Sequence, residues 1–393
     1  MKILQVVPYF YPAWSYGGPG KLVYDTSLYF VSQKHSVTIY TSDAFDKDRR
    51  MKLSEHLNIK NLKVRYFKNI NNDLSYIYNI FITPALFLFA PFDIFHYDVI
   101  HIHDFYTLQN LWVAWWARIY KVPYIISVHG CLEENRIIIN GFLKNLFLRL
   151  FGIGLLHNAS YVVATSENEI KAYARYGLTR DKIVLLGHGI VTEEFETTAS
   201  TLESRKIFKL PDKKIIVTFL GRIHKIKGLD LLVEAAKTTP QEVHFIVAGS
   251  DDGFLKILMG MIKKYKLQNK FTRHDVCFGE AKAKLFKATD IFVYPSYSEG
   301  FSLGILEMAS VGKPLVITTG CHFSLLAKYR AGIIVNPKSK EISAAIALLA
   351  KDAKKRKVFG ANAKRLIEEN YSMSAIGDKL LKIYSKSKLA KHE

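Results

Sequence analysis

The stretch Ile291-Phe292-Val293-Tyr294-Pro295-Ser296-Tyr297-Ser298-Glu299-Gly300-Phe301-Ser302-Leu303-Gly304-Ile305-Leu306-Glu307 changes character twice. Its first four residues form a continuous β-branched and aromatic run, the pattern of a strand covered on both faces. Pro295 and the Ser- and Gly-bearing loop end that run, and a helical pattern begins near Leu303. The same strand–loop–helix unit recurs in both directions. Apolar runs at 3–7, 37–41, 99–102, 124–128, 161–164 and 183–186 form one series, and those at 215–220, 243–248, 291–294, 315–318 and 332–335 a second. Helix-length segments such as 21–33, 229–237, 305–311 and 342–351 lie between them. This alternation predicts an α/β chain with doubly wound parallel sheets. Between the series, 191–214 is polar and reads as an interdomain connection. The expected architecture is two Rossmann-like doubly wound parallel-sheet domains, 1–195 and 196–393, facing each other across a cleft. A C-terminal helix at about 370–390 is expected to pack back on the first.

Composition agrees with a globular chain of this kind. The 393 residues are 49% apolar and 23% charged, which excludes wholesale disorder and collagen-like repeats. Cys131, Cys277 and Cys321 are widely spaced and odd in number, which argues against a disulfide framework or structural zinc and for a reducing compartment. The N-terminal apolar run is cut by Pro8 and Pro12, too early for a secretory signal. The most apolar window, 77–95, contains Asn79, Pro84, Pro91 and Asp93, so a spanning helix is not expected there. Lys and Arg exceed Asp and Glu by 55 to 35, a formal charge of +20. Such a balance raises affinity for any polyanion. No nucleic-acid module accompanies it, so no nucleic-acid partner is expected, and 351–393 reads as a solvated basic helical face.

In open α/β sheets ligands sit beyond the carboxyl ends of the strands, so the loops there carry the chemistry. Tyr16-Gly17-Gly18-Pro19-Gly20 lets backbone approach a ligand and opens a helix whose N–H groups suit an anion, although an ordinary tight turn looks the same. Gly221-Arg222-Ile223-His224-Lys225-Ile226-Lys227-Gly228 places a guanidinium and an ammonium after a strand, able to neutralise a departing diphosphate. In the opening stretch Glu299 lies in the loop and Glu307 on the helix, with amides near Gly300 to Leu303 available to an anion. Carboxylates in those places can accept hydrogen bonds from sugar and ribose hydroxyls.

Taken together, these segments resemble the retaining, nucleotide-sugar-dependent glycosyltransferases of family 4 with the GT-B fold. Glu299 to Glu307 resembles that family's E-x7-E motif, Gly221 to Gly228 its G-R-x-x-x-x-K-G stretch, and Gly17-Gly18 its N-terminal glycine loop. The resemblance implies an acceptor-binding first domain and a donor-binding second one. It implies Glu307 on the donor ribose, Glu299 on the transferred sugar, and Gly300, Phe301, Ser302 and Leu303 around sugar and phosphate. Arg222 and Lys227 would stabilise the leaving diphosphate, Gly249 and Phe278 would stand near the base, and His129 would meet the sugar. His101 and His103 would line the acceptor side. The chain departs from the pattern at Pro19, which removes a backbone donor, and at His188 and Val191, where Asn and Asp are commoner in the family.

The activity so implied is metal-independent transfer of a hexosyl unit, with retention, from a nucleoside-diphosphate sugar to a glycan or lipid-linked glycan. UDP is favoured over GDP, and no cofactor or metal is expected. Asp46-Lys47-Asp48 has the spacing of a metal motif but sits in a basic polar loop. Segment 142–151 has apolar residues with interspersed cations, and together with the apolar 77–92 it would form a basic, greasy surface suited to an anionic membrane and to a peripheral enzyme on its cytoplasmic face. Open alternatives are a nucleotide-sugar epimerase, a sugar phosphorylase or a starch-synthase-like polymerase of the same fold, and, on charge alone, a nucleic-acid-binding protein.

Overall fold

The structure is a computed structural model describing residues 1–13, 16, 18–51, 61–78, 80–132, 141–299 and 302–389. The chain divides into two compact units, Met1–Gly189 with Met373–Glu393, and Ile190–Ser372. The first holds β1 (Lys2–Val6), β2 (Ser36–Ser42), β3 (Lys63–Phe67), β4 (Val99–His103), β5 (Tyr124–Ser127), β6 (Tyr161–Ala164) and β7 (Ile183–Leu185), in the order β3-β2-β1-β4-β5-β6-β7. The second holds β8 (Ile215–Leu220), β9 (Val243–Ala248), β10 (Phe271–His274), β11 (Ile291–Tyr294), β12 (Leu315–Thr318) and β13 (Gly332–Val335), in the order β10-β9-β8-β11-β12-β13. The strand pairings are parallel throughout both sheets. Parallel neighbours need helical crossovers, which cover both sheet faces and bury every residue of β4, β5, β9, β11 and β12.

The apolar-run reading misses β3 and β10, and both are edge strands. Their sequences, KVRYF and FTRH, carry charge because an edge strand is covered on fewer sides; β3 alternates exposed and half-buried positions up to the buried Phe67, and β10 is half-buried throughout. The unit boundary falls after Gly189 rather than at 195/196. The polar stretch expected to be a connection is instead part of the second unit. Ser200 and Glu203 form a capping box that starts the helix Thr201–Ile207. From that helix buried Arg205 bonds the carbonyls of Ala288 and Asp212 and pairs with Asp290 at 2.6 Å. Asp290 also accepts from the amide of Ile216 at the start of β8.

The helix Met373–Leu389 belongs to the first unit. It lies so close to the helix Gly18–Ser32 that a Cβ at Gly377 would stand 2.2 Å from the Tyr29 ring. Tyr29 Oη donates to Asp378 at 2.6 Å, and Tyr384 is buried beneath. Among the described residues no helix is long and apolar enough to cross a membrane.

Both sheets reverse direction of growth once. In the first the switch lies between β1 and β4, and in the second between β8 and β11. Loops splay apart at such points and leave a crevice beyond the carboxyl ends.

Candidate functional site

At the second unit's switch point, β8 leads into a short turn, Lys225–Lys227, ended by Gly228 in the left-handed region at φ 66°. His224 Nδ1 accepts from the amide of Ile226 and caps that turn. The turn sends Lys227 inward, where it is 8% exposed. Its ammonium donates to both oxygens of Glu299, at 2.7 and 2.8 Å, and to Tyr294 Oη at 3.1 Å. Burial works against the Lys227 charge, but Tyr294 and Glu299 outweigh it and hold its pKa above the ordinary lysine value. Ser296 Oγ reaches both Glu299 Oε1 and the carbonyl of Ile226. The amide of Tyr297 also donates to Ile226, at 2.8 Å, and that of Glu299 to Gly320, at 2.8 Å. The loops after β8, β11 and β12 are thus tied around one ammonium–carboxylate pair.

The helix after this loop, Leu303–Ser310, begins against the end of β8, for a Cβ at Gly304 would stand 3.3 Å from the Leu220 carbonyl. Its Glu307 accepts from Lys282 Nζ at 2.7 Å. Lys282 comes from the helix Gly279–Ala288 and stands 5.5 Å from the Phe195 ring centre. Arg222 is exposed and pairs with Asp252 at 2.6 Å. Gly249 follows β9 at φ 154°, and a Cβ there would stand 1.8 Å from the Gly221 carbonyl, so glycine lets the ends of β8 and β9 close together. Phe278 precedes the helix Gly279–Ala288 with an exposed ring. Ser302 and Leu303 stand at the helix start, and Gly18 is the first residue of Gly18–Ser32. Gly17, Gly300 and Phe301 lie outside the described residues.

The first unit's switch point holds stacked histidines. His101 and His103 share one face of β4, with ring centres 4.1 Å apart. His101 bonds Tyr384 Oη at 2.6 Å and Ser127 Oγ at 2.8 Å; His103 bonds Gln5 Oε1 at 2.7 Å and His129 Nε2 at 3.2 Å. They are 2% and 3% exposed, with both ring nitrogens engaged inside the unit. The expected acceptor-side role therefore gives way to one behind His129. Burial pushes His101 down to about 3 and His188 to about 4, and burial, then its histidine neighbours, holds His103 well below the usual range. A neutral His103 that donates to Gln5 must accept at Nδ1, so the proton of this contact sits on His129 Nε2. These rings line a cavity of ≈ 20 Å³.

His129 adopts φ 53°, and Gly130 beside it φ 78°. The turn is held by Glu169, fully buried in the first turn of the helix Glu167–Arg175. Its carboxylate accepts from the amides of Gly130 and Thr165, from Thr165 Oγ1 and from Tyr173 Oη. Glu169→Ala leaves buried donors without an acceptor, at about 1–3 kcal/mol each. Urea unfolding should show a loss of about 3–5 kcal/mol, and Glu169→Gln, which keeps one acceptor oxygen, a smaller one. Equal, wild-type midpoints for both variants would refute this positioning role. The sequence reading missed Glu169, Lys282, Gln5 and Tyr384. Tyr294 and Ser296 lay inside the quoted stretch without being singled out.

Asp46 is engaged locally, accepting from Arg49 Nε and from the amides of Asp48 and Arg49. Among the described residues no group of three or more His, Cys, Asp or Glu is placed to hold a metal ion.

Two family models match this chain: "Glycosyltransferase Family 4" over residues 16–194 and "Glycosyl transferases group 1" over 200–366. The chain is 27% identical to an uncharacterized glycosyltransferase of Methanocaldococcus jannaschii over 305 residues, 73% of this chain and 75% of that one. It is also 27% identical, over 70% of this chain and 72% of that one, to the N,N'-diacetylbacillosaminyl-diphospho-undecaprenol alpha-1,3-N-acetylgalactosaminyltransferase of Campylobacter jejuni. Anabaena HepE, solved in complex with UDP, superimposes with a TM-score of 0.77 at 19% identity, covering 98% of this chain and all of that one. Matched by the two models over most of its length, with two parallel-sheet units and GT-B neighbours, the chain belongs to the GT-B glycosyltransferases of the family 4 type.

Proposed function

We propose that this chain transfers a hexosyl unit from a UDP-sugar to a glycan or lipid-linked glycan, with retention and without a metal ion. The observation that carries the reading is the buried Lys227 held against Glu299 at the β8–β11 switch point, where a phosphorylated ligand of an α/β sheet sits. UDP and UDP-glucose complexes of the structural neighbour support the donor class, and the undecaprenol-linked substrate in the Campylobacter relative's name supports the acceptor class.

In this mechanism the bond from the anomeric carbon to the diphosphate breaks as the bond to the acceptor oxygen forms on the same face. The acceptor proton passes to the departing phosphate oxygen. Negative charge grows on the diphosphate, and a prepositioned ammonium stabilises that state more than the ground state. Lys227 supplies it, and Arg222 adds a second cation by exchanging Asp252 for phosphate. Glu299 accepts hydroxyls of the transferred sugar, Glu307 those of the ribose, and His129 keeps its proposed role toward the sugar.

The test of activity is a panel of nucleotide sugars assayed for slow acceptor-free hydrolysis, with the released nucleotide identified by mass. UDP release from one sugar supports the reading; no release and no transfer from any donor overturns it. Isomerisation without transfer would mark an epimerase instead. Glu307→Ala should weaken UDP binding by about 10- to 100-fold, the value of one charged hydrogen bond to a ribose hydroxyl. Unchanged affinity by calorimetry rejects the ribose role.

A further inference from the structure

The helix Leu108–Ile119 has Gln109, Asn110 and Arg118 as its polar residues, and the first two are buried, so no polar face is turned to solvent. One face, Val113, Ala114 and Ala117, packs into the core of the first unit. The opposite face carries Leu108, Leu111, Trp112 and Trp115, which with Leu150, Phe151 and Leu155 line a groove of ≈ 480 Å³. Leu150 is 62% exposed, and Leu108, Trp115 and Phe151 about half exposed. A helix without a polar face is ordinarily buried or in contact with lipid.

Aromatic rings extend the patch in a connected chain. Phe87 meets Trp112, Trp112 stacks on Trp115, Trp116 stacks on Tyr120, and Tyr120 meets Phe95. Three of the chain's four tryptophans lie in this one helix. Exposed Leu88 and Phe92 continue the apolar surface beside it. Indole and phenol rings, apolar in body with one polar edge, favour the zone between lipid headgroup and acyl chain.

Charge selects the occupant. Arg118 lines the groove, and exposed Arg149 and Lys121 flank it. Neither 107–123 nor 141–160 contains an aspartate or glutamate. A second copy of this chain would bring one cationic face against another, whereas an anionic leaflet offers hydrocarbon for the groove and phosphate for the arginines.

We infer that this face of the first unit docks on an anionic lipid bilayer, with the Leu108–Ile119 helix lying in the interface and Arg118 and Arg149 on lipid phosphates. The site adds the Leu108–Ile119 helix to Phe87, Leu88 and Phe92 of 77–92 and to Arg149, Leu150 and Phe151 of 142–151, the segments from which a membrane surface was expected. The inference deepens, and rests on, the lipid-linked acceptor reading above, but its vesicle-binding readout uses neither donor nor acceptor.

The experiment is sedimentation with vesicles of phosphatidylcholine alone or mixed with phosphatidylglycerol, at low and high salt. The wild-type chain should bind the anionic vesicles and leave them at high salt. Arg118→Ala/Arg149→Ala should weaken binding by about fivefold per cation, and Trp115→Ser/Phe151→Ser by about tenfold. UDP binding by calorimetry should stay at the wild-type value in both variants, which also shows that they fold. Brominated lipids should quench the tryptophan emission of the wild-type chain, most strongly with bromine near the headgroup. Equal binding to both vesicles, no binding, no quenching, or wild-type vesicle affinity in the variants overturns the inference. So does a lipid-free dimer that Trp115→Ser/Phe151→Ser dissociates. A wild-type chain that binds vesicles but no nucleotide would sink the transferase reading and leave this one standing.

Discussion

Lys227→Ala is expected to lower turnover about 100- to 1,000-fold with little change in donor KM, the signature of a group whose main contribution comes as the leaving diphosphate charges. The three protons of this ammonium are committed, two to Glu299 and one to Tyr294. A diphosphate must therefore take over part of that coordination, and the carboxylate so released is the one proposed to receive sugar hydroxyls. The same substitution should reduce stability. The Lys227 and Glu299 side chains are 11% and 8% exposed, and removing one partner of so buried a pair costs about 3–5 kcal/mol. Lys227→Ala/Glu299→Ala leaves no carboxylate uncompensated and should regain part of that stability, but none of the turnover. The pH dependence follows from the raised lysine pKa. The lysine's contribution is present below the ordinary lysine value and is lost as pH climbs through the higher folded value, so the alkaline limb of the stability profile should change in the variant. Wild-type turnover in folded Lys227→Ala would remove this residue from the mechanism.

The central strands were legible because a strand between two helix layers has nowhere to place a polar side chain; Val243–Ala248 is buried at every position. The edge strands were not, because Lys63 and Arg65 alternate with Val64 and Tyr66 and break the run that marks the interior. The 201–207 helix carried its own signal, Ser200 with Glu203, which the polar composition around it hid. At the sites, local spacing could suggest that Lys227 and Glu299 matter, but their direct contact joins residues 72 apart, and Lys282 meets Glu307 across 25. No local pattern connects Tyr384 to His101 over 283 residues. Glu169 was hidden differently, because a glutamate in a first helical turn reads as an ordinary dipole partner until its donors from another loop are seen.

Gly228→Ala should remove nearly as much activity as Lys227→Ala while leaving every proposed catalytic side chain in place. A Cβ at this position would stand 2.0 Å from the carbonyl oxygen of Pro295, the first residue after β11. That neighbour is backbone, so no side-chain rotation can make room, and the loops after β8 and β11 must separate. One of those loops carries Lys227 and the other Glu299, so the separation falls on the pair itself. The φ of 66° adds about 1–2 kcal/mol for an L residue in the left-handed region, and overpacking adds about 1–3 kcal/mol. Gly253→Ala isolates the first contribution, since Gly253 has φ 86° but no heavy atom within 4 Å of its built Cβ. Chemical unfolding should therefore show a small loss for Gly253→Ala and a loss of about 3 kcal/mol or more for Gly228→Ala. Turnover should fall only in the second. Should both variants lose stability equally and keep full turnover, the close approach at Gly228 does not hold the ammonium and carboxylate together, and the pair owes its position to the stitching of Ser296 and Tyr297 on Ile226 and of Glu299 on Gly320.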